Sequence, residues 1–277
     1  MKTVLLPCGQ PVPALGQGTW NMGDDPALRA EELATLRLGI DLGLTLIDTA
    51  EMYGEGLSES LVGEAIAGRR DEVYLVSKVY PHNASRKAMR KSCENSLRRL
   101  GTDRLDLYLL HWSGSVPLHE TLEAFAALQR DGLIRQFGVS NLDLADMREL
   151  WDLPGGSGVQ TDQLLYNLAR RGIEYDLLPW LRERGVPLMA YSPIEQGRLA
   201  ADNRLAKFAA HMGMTPAQVA LAWLLAQDDV IAIPKTASRA RLRENFKVLE
   251  HPLDAAALAE LDRLFPPPGR PVPLEML

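Results

Sequence analysis

The stretch SRKAMRKSCENSLRRLGTDRLDLYLLHW (85–112) sets two patterns side by side. Its first part has the make-up of a helix and stops at Gly101, a residue suited to the left-handed turn that ends helices. Its last part, LDLYLLHW, is an almost continuous apolar run, the mark of a parallel strand covered on both faces. A helix feeding such a strand is one α/β unit. How often the unit recurs decides the fold.

Working outward, strand-like runs are ALGQGTW (14–20), TLIDT (45–49), VYLVSKV (73–79), LDLYLLHW (105–112), IRQFGVSN (134–141), VQTDQLLYN (159–167), PLMAYSP (187–193) and VIAIPKT (230–236). The segments between them look helical. PALRAEELATLRLGIDLG spaces Leu28, Leu33, Leu36 and Ile40 like a helix and closes on Gly43. HETLEAFAALQRDG and YDLLPWLRERG follow the same pattern. TPAQVALAWLLAQ starts with Thr215 as N-cap and Pro216 in the first turn. Eight strands alternating with helices fit an α/β fold, a closed (β/α)8 TIM barrel, better than an open doubly wound sheet. GQGTW (16–20) lacks the third glycine and the helix-opening context of a Rossmann turn. VLLPCGQPVPAL is expected to form a β-hairpin at the barrel floor. FPPPGRPVPLEML is expected to be irregular and to lie over the surface or near the mouth. No linker interrupts the chain, so residues 1–277 read as a single barrel domain.

The composition bounds the function. The chain is 46% hydrophobic with a net charge of −6, which argues against nucleic acid and anionic membranes as partners. Cys8 and Cys93 are far apart and in no metal-ligand spacing. No apolar run is long enough for a signal peptide or a membrane span. A cytoplasmic, disulfide-free monomer acting on a small molecule is the expectation.

In a barrel of this kind chemistry sits where the strands end. Those ends carry Asp48, Lys78, His111, Asn141, Gln163, Tyr191 and Lys235, with Tyr53 in the loop after the second strand. Each alone has a plainer reading as a cap, a solvated rim charge or a hydrogen-bonded structural residue. Their convergence on one rim points to proton donation. A free tyrosine has a pKa of about 10 and is a poor acid at neutral pH. An ammonium beside it is expected to pull that value down, and Asp48 would keep Lys78 charged. A histidine could hydrogen-bond a carbonyl oxygen and orient it towards the tyrosine. That chemistry is carbonyl reduction, and the hydride must come from a nicotinamide or flavin. The segment IPKTASRARLREN (233–245) places Lys235, Thr236, Ser238, Arg239 and Arg241 at the start of a helix, an anion site in an acidic chain.

Three motifs now resemble the aldo-keto reductase family, closest to its bacterial branch acting on small aldehydes, including methylglyoxal. GLTLIDTAEMYGEGLSESLVGEAI (43–66) is similar to the signature around the catalytic aspartate and tyrosine. SLRRLGTDRLDLYLLHW (96–112) resembles the second signature, and IPKTASRARLRENF (233–246) the cofactor-phosphate signature. VSKV (76–79), GVSN (138–141) and YSP (191–193) follow in the family's order. The resemblance implies that Tyr53 is general acid, that Lys78 and Asp48 tune it, and that His111 orients the carbonyl. It implies NADPH as cofactor, with Ser140, Asn141 and Gln163 on the carboxamide and Tyr191 stacked beneath the ring. Gly18, Thr19, Trp20, Ser192, Pro193 and Ile233 are implied cofactor contacts. Lys235, Thr236 and Arg241 would meet the 2′-phosphate, favouring NADPH over NADH, and Glu244 and Asn245 the adenine.

The substrates implied are aldehydes, small 2-oxoaldehydes and aromatic aldehydes among them, with ketones as a further class. Trp20, Met22, Met52 and Trp112 are candidate pocket residues, and Trp151 either joins them or, on the plainer reading, packs between helices. Thr45 stands where the family usually has a basic residue. The loop EQGRLAADN and the segment after Phe265 are short, which implies an open and less selective pocket. Two other classes remain at this stage: an NADPH-binding redox sensor or regulatory subunit with slow turnover, and a metal-dependent hydrolase. The second needs clustered ligands, and the five histidines are scattered along the chain.

Overall fold

Strand formation follows the apolar runs. The computed structural model describes residues 1–277. Its strands are β1 (Thr3–Leu5), β2 (Pro11–Pro13), β3 (Gln17–Gly18), β4 (Leu46–Asp48), β5 (Tyr74–Val79), β6 (Leu105–Leu110), β7 (Ile134–Ser140), β8 (Asp162–Leu165), β9 (Leu188–Tyr191) and β10 (Val230–Ala232). The last eight pair in chain order, every neighbour parallel. Parallel bridges Leu15–Ala232 and Gly18–Lys235 join the first of these strands to the last, closing the barrel. Every residue of β5 and β6 is buried, as expected when side chains fill the barrel on one face and meet helices on the other.

The closure explains one glycine. A Cβ on Gly18 would stand 2.7 Å from the carbonyl oxygen of Ile233, so only glycine lets the first strand approach the segment beyond β10. Its amide donates to the Pro234 carbonyl there.

The outer ring comprises α1 (Arg29–Asp41), α2 (Leu57–Ile66), α3 (Arg86–Leu100), α4 (Leu118–Arg130), α5 (Leu144–Asp152), α6 (Leu177–Glu183), α7 (Asn203–His211), α8 (Pro216–Ala226), α9 (Arg239–Phe246) and α10 (Ala255–Leu264). Helix α3 ends at Gly101 with φ of +62°. Helix α8 opens on Thr215 as the expected N-cap, and a capping box completes it, the Thr215 hydroxyl and amide exchanging hydrogen bonds with Gln218. Helix α6 is shorter than the sequence suggests, because the Asp176 side chain caps it at Leu177. Helix α1 buries Leu36 and Ile40, while Leu28 lies outside it and is exposed.

The hairpin β1–β2 is antiparallel and buries Val4, Leu6 and Val12. It is fastened below the barrel by Lys2, whose Nζ donates to the carbonyls of Leu225 and Gln227 at the end of α8. A cation there also meets the negative end of the helix dipole. The segment after α10 has no regular structure and crosses to the opposite end, where the backbone N–H of Leu277 faces the Tyr191 hydroxyl. No helix is long and apolar enough to cross a membrane.

Candidate active site

Asp48 ends β4 and Lys78 lies one residue from the end of β5, on adjacent parallel strands. Both side chains point into the barrel. Lys78 is 0% exposed, and its Nζ donates to Asp48 Oδ2 at 2.7 Å, to the Thr49 carbonyl at 2.9 Å and to the Tyr53 hydroxyl at 3.1 Å. Three acceptors meet the three ammonium donors. The other Asp48 oxygen accepts from Gln163 Nε2 at 2.8 Å, so the carboxylate is held from both sides.

Tyr53 reaches this group through a turn of left-handed backbone. Gly54, Glu55 and Gly56 have φ of +56°, +51° and +90° before α2 begins. A Cβ at Gly56 would strike the Arg99 side chain at 2.4 Å. Arg99 in turn donates to Glu59, which also accepts from Ser77, the residue before Lys78. The turn that carries the phenol is thus packed on the strand that carries the ammonium.

Burial is the largest influence on Tyr53 and raises its pKa, with the Lys78 ammonium opposing it. The expectation of a lowered phenol is therefore corrected: the surrounding protein outweighs the neighbouring charge, and the hydroxyl is firmly protonated at neutral pH. For Lys78, burial works against the cation, but Asp48 and Tyr53 outweigh it and its pKa is raised. His111 is the reverse. Burial, helped by the Lys78 charge, lowers its pKa to about 2, so the imidazole is neutral. Its Nδ1 is sealed without a partner, and its ring stands edge-on to Tyr53 with centroids 5.9 Å apart. Trp112 and Tyr80 continue the aromatic wall outward from His111.

On the β7 side, Ser140 Oγ donates to the Gln163 carbonyl, and Asn141 Nδ2 to the His111 carbonyl at 3.2 Å. Asn141 sits at φ of +57°, and its Oδ1 accepts from the Tyr191 hydroxyl at 3.0 Å. Burial pushes the Tyr191 phenol up to about 12. Ser192, Pro193 and Ile233 lie at the same end, with Ser192 at φ of +48°. Trp20 is 44% exposed at the rim, and Met52 and Trp112 are half-buried.

One sequence-based expectation is overturned, at Met22, and Trp151 takes its plainer reading. Thr19 is fully buried, and its hydroxyl donates to the Asp48 carbonyl, so its side chain braces the strand end. Met22 is fully buried in the core and lines no pocket. Trp151 stands edge-on to Trp180 with the Arg184 guanidinium across both rings, which is helix packing.

At the start of α9, Ser238 is the N-cap and Thr236 Oγ1 accepts from the Ser238 amide. Lys235 and Arg241 make no ion pair, whereas Arg239 is bound to Glu31 of α1. Asn245 is buried, and the Glu244 carboxylate accepts from the Thr215 hydroxyl at 2.7 Å, which commits it to the cap of α8. Ser58 was not foreseen: its hydroxyl donates to Thr19 and lies 3.2 Å from Thr49 Oγ1, tying α2 to the strand ends. Its place five residues after Tyr53 in the first signature was the available signal.

Known proteins share this chain's sequence and fold. A model described as the aldo/keto reductase family matches residues 14–265. The chain is 54% identical over 271 residues to methylglyoxal reductase YeaE of Escherichia coli (strain K12), covering 96% of this chain and 95% of that protein. It is 31% identical over 270 residues to methylglyoxal reductase DkgB of Escherichia coli O157:H7, covering 93% and 97%. An aldo/keto reductase from Klebsiella pneumoniae, solved in complex with NADP and acetate, has a TM-score of 0.97 at 51% identity, covering 100% of this chain and 99% of that one. A thermostable aldo-keto reductase solved with the inhibitor epalrestat has a TM-score of 0.88 at 41% identity, covering 95% and 100%. The chain belongs to the aldo/keto reductase family.

Proposed function

We propose that this protein reduces small aldehydes to alcohols, 2-oxoaldehydes such as methylglyoxal among them, with NADPH as reductant and Tyr53 as proton donor. The observation that carries the reading is the Tyr53 hydroxyl 3.1 Å from an ammonium that is wholly buried and locked by Asp48. The relatives named as methylglyoxal reductases support the substrate class.

The residues suit the cofactor. Lys235 and Arg241 are unpaired cations at a helix start, matching the extra phosphate of NADPH. Gln163 spends its amide on Asp48 and Met189, leaving Oε1 to accept from a carboxamide. Asn141 and Ser140 flank that position, with Tyr191 beside them. When bound, the nicotinamide supplies the hydride.

The chain's own part is the proton. A substrate carbonyl oxygen accepts from the Tyr53 hydroxyl and from neutral His111, which can donate without competing as an acid. As charge develops on that oxygen, Tyr53 gives up its proton. The phenolate left behind faces the Lys78 ammonium, whose charge Asp48 secures. Burial keeps the acid protonated beforehand, and the adjacent cation stabilises it afterwards. The aromatic wall of Trp112 and Tyr80 suits flat apolar substrates as well.

The test is the loss of NADPH absorbance with methylglyoxal, 4-nitrobenzaldehyde, a ketone and an aldose. Rapid oxidation with an aldehyde is expected. Tight NADPH binding without oxidation across the panel would overturn the reductase reading in favour of a regulatory NADPH-binding protein.

A further inference from the structure

One guanidinium holds both the loop after β9 and the C-terminal tail. Arg170 lies in the turn after β8. Its Nε and Nη2 donate to Glu195 Oε1 at 3.0 and 2.9 Å, and its Nη1 donates to Glu275 in the tail. Glu195 is only 4% exposed, and its second oxygen accepts from Asn167 Nδ2 at 2.8 Å. The same amide donates to the Ser192 carbonyl. The loop so held needs holding: Ser192, Glu195 and Gln196 all have φ between +48° and +53°. Non-glycine residues keep that backbone only where the surroundings enforce it. At the other end of the link, Glu275 lies two residues before Leu277, whose backbone N–H faces the Tyr191 hydroxyl.

We infer that Arg170 is a positioning residue that couples the seating of the β9 loop, on the cofactor side, to the seating of the tail over the mouth. The inference rests on the reading that the nicotinamide lies beside Tyr191. A ligand that settles the Ser192 loop fixes Glu195. A fixed Glu195 orients the planar fork of Arg170, and the fork then presents Nη1 to Glu275 with little further ordering. Coupling of this kind is reciprocal: a docked tail strengthens cofactor binding by the factor with which the cofactor docks the tail.

Charge alone predicts the opposite sign. Glu275 is acidic and the cofactor anionic, so Glu275→Gln should strengthen NADPH binding if only long-range electrostatics act. If the link acts, Glu275→Gln weakens it. The pair is partly exposed on both sides, so its loss leaves thermal stability close to wild type.

The experiment measures hydrogen exchange of the peptide spanning 266–277 with and without NADPH, beside fluorescence titrations of NADPH, in wild type and Glu275→Gln. In wild type, NADPH slows exchange of the tail. In Glu275→Gln that slowing is lost, NADPH binds on the order of fivefold more weakly, and kcat is retained. Arg170→Lys, which keeps the charge but not the fork, reproduces the loss. Equal tail protection in both proteins, or NADPH affinity unchanged or increased in Glu275→Gln, overturns the coupling. A wild type that does not bind NADPH overturns the cofactor reading instead.

Discussion

At Tyr53, burial and a neighbouring cation pull in opposite directions, and burial is the larger. Tyr53→Phe removes the proton and leaves the packing. It is expected to lower kcat by roughly 10²–10⁴-fold with NADPH affinity nearly unchanged, measured by turnover and by titration; wild-type rates would remove Tyr53 from its role. His111 supplies a pH test. Folding lowers its pKa from 6.5 to about 2, so the unfolded chain takes up this proton at the higher pH. His111 therefore supports folding fully above pH 6.5 and progressively less as pH falls towards about 2. A catalytic profile limited by His111 is therefore expected to lack a limb near 6.5, and kcat/KM measured across that range should show none. Asp162 is fully buried on β8 with no side-chain partner, and burial, only partly offset by the Leu142 backbone N–H, raises its pKa far above the usual carboxylate range. A raised acid supports folding below its unfolded value and costs stability as pH rises above it. Asp162→Asn should thus gain in Tm over wild type more at pH 7.5 than at pH 4. Asp48, Lys78 and His111 were legible in the sequence because strand ends on a barrel converge by topology. The direction of the Tyr53 shift was not, because it depends on what packs around the ring.

Among the elements, the start of α9 shows which cations are available. Lys235→Ala is expected to raise the KM for NADPH roughly ten- to a hundredfold, the worth of one charged hydrogen bond, and that for NADH far less. Arg239→Ala should leave the ratio of the two nearly unchanged, since Arg239 is engaged by Glu31. An Arg239 variant that loses the preference as Lys235→Ala does would relocate the phosphate site. The basic cluster was readable as a run of side chains at a helix start. Which members were spoken for was not, because Glu31 approaches from α1 and Thr215 claims Glu244 from α8. Such partners are set by how helices pack, and no local pattern records them. Trp151 shows the same limit in reverse, its partners Trp180 and Arg184 being supplied by the next helix.

For the whole molecule, the recurring α/β unit made the barrel legible, and the even spacing of eight units made closure the natural arrangement. The hairpin beneath it is an integral part of the core. Deleting residues 1–13 removes buried Val4, Leu6 and Val12 and uncovers what they pack against. By burial alone this costs roughly 5–9 kcal/mol, so Tm should fall by about 10 °C or more; a truncated protein melting with wild type would show the floor to be sealed without it. The closed barrel also bears on chemical survival. Aldehydes are electrophiles that condense with free amines and add to thiols, so a protein handling them is exposed to attack by its own substrate. Lys78 stands against Tyr53, the proposed donor, yet it is wholly enclosed and held as an ammonium by Asp48, with no lone pair to offer. The exposed thiol, Cys8, is hydrogen-bonded through its backbone to Gln160 ahead of β8, at the end away from the mouth. The arrangement that charges Lys78 beside Tyr53, the proposed proton donor, also spares Lys78 from imine formation.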